Sequence, residues 1–147
     1  MSATTEQNPP PKGEKTQRII VFLGPSMPLD EARSLLAADY RPPIRRGDLA
    51  ELGRGDVVGI VDGEIGASKT IQVREIIFAL ERGVRIYGSS GIGALRAGDL
   101  PEMIGVGKIA DWYRLGQLRR DDEVALTYNL PTYAPTTVAL ARPSGRI

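Results

Sequence analysis

The sequence contains no cysteine and no histidine. The first absence rules out disulfides, which suits a reducing compartment, and the expected location is the cytoplasm. It also means that sulfur cannot be carried as a persulfide on the chain's own thiol. Together the two absences exclude zinc sites of the Cys/His type, and with them a Ser-His-Asp triad or a Cys-His dyad within the chain. Acid–base chemistry has to be done by Asp, Glu, Lys, Tyr or Arg. No apolar run approaches the ~20 residues that a bilayer-crossing helix needs. The polar start, with Pro9, Pro10 and Pro11, does not read as a signal peptide. A net charge of only +1 gives no field to draw the chain to nucleic acid or a membrane surface.

What is present fits one globular domain: 147 residues, 41% hydrophobic and 25% charged. Residues 1–17 hold too little apolar surface to offset the entropy of ordering and read as a disordered tail. Residues 18–147 read as a single α/β domain with a mainly parallel sheet flanked by helices. Arg18–Leu23 (RIIVFL) and Asp56–Val61 (DVVGIV) are apolar runs without alternation, predicting strands covered on both faces. Val84–Tyr87 is a third strand. Helices are expected where Leu29, Ala32 and Leu36 recur, and where Val73, Ile76, Ile77 and Leu80 form one face. Gly83 ends the latter as a C′ glycine. A further helix opens at Ile92–Ala97, and Val106, Ile109, Tyr113 and Gly116 suggest another. Asp39–Pro43 is expected as extended loop, Gly47–Leu52 as a helical turn, and Glu123–Tyr128 and Thr137–Ala141 as late strands. The order β-α-β-α-β-α implies parallel strands joined by crossover helices.

Ligands of open parallel sheets gather beyond the carboxyl ends of the strands. Three such ends carry Gly24-Pro25-Ser26, Asp62-Gly63 and Gly88-Ser89-Ser90-Gly91. If those strands are neighbours, hydroxyls and one carboxylate face a common crevice. Ser26 is either a nucleophile or the N-cap of the next helix, the commoner use of such a serine. Ser89, Ser90 and Gly91 lie between strand and helix, where free amides can hold an anion or oxyanion, or where glycine simply serves the turn. Asp62 is a general base, a lysine-orienting group, a metal ligand or a turn residue. Asp121-Asp122-Glu123 reads as a solvated acidic loop before a strand rather than as a carboxylate metal cluster. Gly63–Thr70 has the first glycine and the Lys69-Thr70 pair of a phosphate-binding loop, but Ser68 stands where that loop needs its second glycine. A serine without histidine can use a neutral lysine, and Lys69 and Lys108 are the lysines of the folded region.

Several stretches taken in order resemble the TfuA-like core domain. They are Val21–Ser26, Arg41-Pro42-Pro43 with Arg46-Gly47-Asp48, Ile60–Gly63, Arg74-Glu75-Ile76, Gly93–Ala97, Gly105-Val106-Gly107 and Asp121–Val124. The resemblance runs from about residue 19 to 142. It implies a partner of a YcaO-type enzyme in peptide-backbone thioamidation. In that role the protein hydrolyses a thiocarboxylated ThiS-like carrier with a Ser-Lys dyad and helps YcaO engage its peptide. It implies no cofactor and no metal. Relatives usually carry lysine where this chain has Arg74, which stays protonated and cannot act as a base. They often have Ser-Ser-Met-Gly where it has Ser90-Gly91-Ile92-Gly93. On this resemblance the expected hydrolase uses Ser26 as nucleophile, with Lys69 replacing the lost base, Asp62 in support and Ser90 near the oxyanion. Arg46, Arg74, Arg96, Ser89 and Gly91 would contact substrate. The alternatives are a docking subunit with a decayed dyad, and a nucleotide-binding protein using Gly63–Thr70.

Overall fold

The structure is a computed structural model that describes residues 17–118 and two short strand segments at 127–129 and 134–137. The expected tail, except residue 17, and the acidic run Asp121-Asp122-Glu123 lie outside the described residues. Along the chain run β1 (Arg18–Phe22), α1 (Leu29–Leu35), β2 (Asp39–Arg41), β3 (Asp56–Ile60), α2 (Val73–Glu81) and β4 (Arg85–Ser89). They are followed by α3 (Ile92–Asp99), β5 (Ile104–Val106), α4 (Lys108–Arg114), β6 (Thr127–Asn129) and β7 (Ala134–Thr137).

β1 to β5 form one sheet in the order β2-β1-β3-β4-β5, with every neighbouring pair parallel. The expected α/β architecture with a parallel sheet flanked by helices is therefore what the chain adopts. This is a doubly wound order: the chain leaves β1 toward β2, then returns across it to β3. Right-handed crossovers in opposite directions put their helices on opposite faces of the sheet. β6 and β7 make a separate antiparallel pair. The first lies at the end of the expected strand Glu123–Tyr128, while the second precedes and only touches Thr137–Ala141.

The central strands are not covered equally on both sides, contrary to the expectation from their unbroken apolar runs. Ile20 and Phe22 of β1, Val58 and Ile60 of β3, and Ile86 of β4 are buried, whereas Val21, Val57 and Tyr87 between them are only half-buried. The buried side meets Ile76 and Ala79 of α2, Ile44, and Leu49 and Leu52 of the Gly47–Leu52 turn. Truncating a fully buried branched residue here, such as Ile76→Ala, is expected to cost ~2–5 kcal/mol. The reason for the imbalance is α1, in which Ala32 alone is buried while Leu29 and Leu35 stand exposed.

Two local expectations change. Asp39–Arg41 is an edge strand rather than loop, its register set by Ile20 opposite Asp39 and Phe22 opposite Arg41. Val106 belongs to β5 and not to the following helix, which starts at Lys108. Gly83 ends α2 as expected, with φ +93° and its N–H on the Leu80 carbonyl at 3.0 Å.

Candidate active site

β1 and β3 are neighbours whose onward chains diverge, so the crevice beyond their carboxyl ends lies at the point where the winding reverses. Asp62 sits there, two residues after β3. Its backbone is tied on both sides, N–H to the Phe22 carbonyl at 3.1 Å and carbonyl to the Ile44 N–H at 2.9 Å. The residue is 7% exposed. Oδ2 accepts the Gly24 and Ser26 amides at 2.8 and 3.1 Å, and Oδ1 accepts the Ser26 hydroxyl at 2.6 Å. Gly24 permits this turn because a Cβ there would lie 2.6 Å from Pro43 Cγ. The capping alternative for Ser26 does not hold. Pro28 occupies the N-cap of α1 without a side-chain bond, and Ser26 turns to Asp62 instead.

The third strand end arrives from β4. Ser90 links β4 to α3 with φ +62°, and among the described residues it alone combines a positive φ with a side chain. A left-handed serine costs on the order of 1–3 kcal/mol and has to be held by its surroundings. The restraint is visible: a Cβ on Gly93 would lie 1.9 Å from the Ile60 carbonyl oxygen, and one on Gly88 2.0 Å from the Gly93 oxygen. The first turn of α3 is thus pressed onto the ends of β3 and β4, and the connection must be sharp. A strand–serine–helix turn of this kind exposes the hydroxyl and leaves the next amides facing the same space, as in the elbow of α/β-hydrolases.

Ser90 Oγ lies 2.7 Å from Ser26 Oγ. The direction of that bond follows from proton counting. Ser26 has one hydroxyl proton and gives it to the Asp62 carboxylate, which can only accept. Ser90 is therefore the donor, and the three groups form a one-way chain, Ser90 to Ser26 to Asp62. The amides of Gly24 and Ser26 are spent on Asp62. Those at the start of α3, by contrast, have no partner within the helix. Among the described residues no ammonium or guanidinium bonds to Asp62.

The other candidates are used elsewhere. Lys69 is exposed and lies 3.8 Å from Glu64 Oε2, paired there and not with either serine. Arg46 spans the loop before α2, with Nη2 on the Ala67 carbonyl at 3.0 Å and Nε on that of Thr70 at 3.4 Å. The Gly66 amide is taken by Thr70 Oγ1 at 2.8 Å, and the Lys69 and Thr70 amides by the Gly66 carbonyl at 3.1 and 3.2 Å. These amides point inward, unlike those of a phosphate cradle. Arg74 donates to Gln72 Oε1 at 3.0 Å on the exposed side of α2, beside a capping box of Gln72 and Glu75. Arg96 is mostly covered and lies 3.7 Å from Asp99. Ser89 ends β4 opposite Val106, with its hydroxyl near Gly107. Gly91 opens α3 directly after Ser90.

Sequence reasoning did not find the apolar wall beside the serines, to which Met27, Leu36 and Tyr40 contribute. Nor did it find the pair between Arg18 and Asp56, whose bidentate contacts are both 3.0 Å. The signal for that pair was present, an acid and a base each opening an apolar strand.

Fold and geometry together define a doubly wound α/β protein with a serine–serine–carboxylate cluster in its switch-point crevice. Residues 62–143 match the family model described as TfuA-like protein, more than half of the 147 residues, and the chain belongs to that family. Asp62, Ser89, Ser90 and Gly91 fall inside the matched region and Ser26 before it. The family is associated with YcaO-dependent thioamidation. No curated protein matches the chain. Among the described residues no helix is long and apolar enough to cross a membrane.

Proposed function

We propose that this chain is a serine-based acyl hydrolase acting beside a YcaO-type enzyme, with a thiocarboxylated ThiS-like carrier as its substrate and the peptide reached through YcaO. The observation that carries this reading is the one-way chain from Ser90 through Ser26 to Asp62. It favours Ser90 over Ser26 as the nucleophile. Ser90 keeps its lone pairs free while its proton already points toward an acceptor, whereas Ser26 is occupied on both sides. Neither Lys69 nor Arg74 is needed as the base, because Asp62 accepts at the end of the chain.

In the first step the Ser90 Oγ–carbon bond forms, its proton passes to Ser26, and the Ser26 proton passes to Asp62. The α3 amides hold the developing oxyanion. The carbon–sulfur bond of the thiocarboxylic acid then breaks, and the sulfur leaves with its own proton and the one relayed to Asp62 as hydrogen sulfide, which restores the carboxylate. Water attacks the acyl-serine by the same route, freeing Ser90 and leaving a carboxylate on the carrier. The sum is thiocarboxylic acid plus water giving carboxylic acid plus hydrogen sulfide.

The test is incubation of the purified chain with a thiocarboxylated carrier, read by intact mass. Conversion is expected, with loss in Ser90→Ala and partial retention in Ser26→Ala, where a water can bridge to Asp62. Full activity in Ser90→Ala would overturn the assignment. A docking subunit is the second reading, favoured by Lys69 lying against Glu64 rather than in the cluster. Retained binding to YcaO or carrier without any conversion would select it.

A further inference from the structure

The serines open onto a groove whose chemistry the hydrolytic reading does not use. Its volume is about 380 Å³, and Ser26, Ser89 and Ser90 form one end. Apolar side chains line the rest, among them Leu23, Met27, Leu36 and Tyr40. Among the described residues no charged side chain lines it. A neighbouring hollow near the same sheet end is different, with Arg41, Arg45, Asp48 and Glu51 on its walls. Hydroxyls at one end and hydrocarbon along the remainder specify an occupant with a polar reacting group joined to an uncharged apolar body.

The groove is also built rather than incidental. Tyr40 stands on edge strand β2 and directs its hydroxyl to the Ala32 and Leu36 carbonyls, at 2.9 and 2.7 Å, which ties the C-terminal end of α1 over the ring. Leu35 and Leu36 remain 71% and 46% exposed, so the upper wall is apolar surface facing solvent. Such surface lowers its free energy only when something apolar covers it.

We infer that this groove is an acyl-binding subsite, and that Ser90 reacts preferentially with carbonyl compounds whose acyl side carries an uncharged aliphatic group. The inference rests on the reading of Ser90 as the attacked-carbonyl partner. On a simple ester, the Ser90 Oγ–carbon bond forms while its proton travels through Ser26 to Asp62, the carbon–oxygen bond breaks as Asp62 returns that proton to the leaving alcohol, and water releases the acid.

The experiment uses the full chain with p-nitrophenyl acetate, butyrate and hexanoate. Each added methylene is expected to raise kcat/KM about three- to fourfold, so hexanoate, with four more than acetate, exceeds it by roughly a hundredfold. Leu36→Asp and Met27→Asp, checked for folding by circular dichroism, are expected to collapse the hexanoate-to-acetate ratio toward one. A second readout is independent of turnover. Hexanamide, but not acetamide, is expected to raise Tm in the parent chain and in Ser90→Ala, and to lose that effect in Leu36→Asp. If no Ser90-dependent hydrolysis occurs but hexanamide still binds, the hydrolytic reading fails while the subsite stands. A flat chain-length profile with no hexanamide effect overturns the subsite. If Leu36→Asp then also lowers Tm sharply, the chain's own residues fill the groove. If it instead separates a dimer, a second copy does.

Discussion

Strand β3 opens on one buried aspartate and is followed, two residues past its end, by another, and the two are treated in opposite ways. Asp56, at the amino end, is 1% exposed and holds Arg18 through both oxygens, with the Gly53 amide on Oδ2 at 2.9 Å. Asp62, just past the carboxyl end, is 7% exposed and meets two amides and a hydroxyl. A buried carboxylate matched to a guanidinium is neutralised and its geometry is fixed. One held by neutral donors keeps its negative charge available, and the last donor in line carries a transferable proton. In the proposed mechanism the two residues separate a fastening from a proton acceptor at opposite ends of one strand.

The largest effect expected from breaking that contrast is on chemistry. Ser90→Ala should lower thiocarboxylate or ester turnover by about 10³-fold or more, with Tm little changed, as measured by intact mass and thermal unfolding. Asp62→Asn removes the terminal proton acceptor while keeping the shape. Turnover should fall by ~10²–10⁴-fold, and more at Asp62 than at Ser26. At the other end the pattern should invert, since Asp56→Asn lowers Tm by several degrees but leaves turnover per folded molecule unchanged. The Asp56 hydrogen bond, and then its charge, raise the Arg18 pKa above its ordinary value. A raised pKa adds stability that is present below the unfolded-state value and lost only as pH climbs through the folded one. The Arg18 contribution should therefore be level across neutral pH in a stability titration and disappear only in strong alkali. The smallest effect sharpens the cost of the site: Ser90→Gly should raise stability by about 1 kcal/mol while abolishing turnover.

Much of this was legible in the sequence because the signals were local. Gly24-Pro25-Ser26, Asp62-Gly63 and Gly88–Gly91 each follow an apolar run, and parallel strands bring such ends together. Their convergence was conditional on β1, β3 and β4 being neighbours, and the strand order satisfies that condition. What could not be read was orientation. Whether Ser26 faces its helix or Asp62 depends on Pro43 packing against Gly24, a contact between distant segments. The polarity of the hydroxyl chain needs all three oxygens in space. β5 escaped notice because three residues with Gly105 in their middle and Gly107 directly after them carry little β signal, and its placement comes from pairing with β4. The uneven coverage of the sheet was hidden for a similar reason. An unbroken apolar run reports a hydrophobic strand, not whether the helix above it buries one alanine or a full stripe.

That single buried alanine in α1 has a consequence for motion. An element anchored by Ala32 and by one tyrosine hydroxyl has little holding it to the sheet, so it should open locally at a small fraction of the global unfolding free energy. Amide hydrogens of α1 should exchange far sooner than those of β1 and β3 beneath it. The wall beside the serines would then be a breathing surface over a rigid floor, able to widen for a bulky guest without disturbing the hydrogen-bonded line that ends at Asp62.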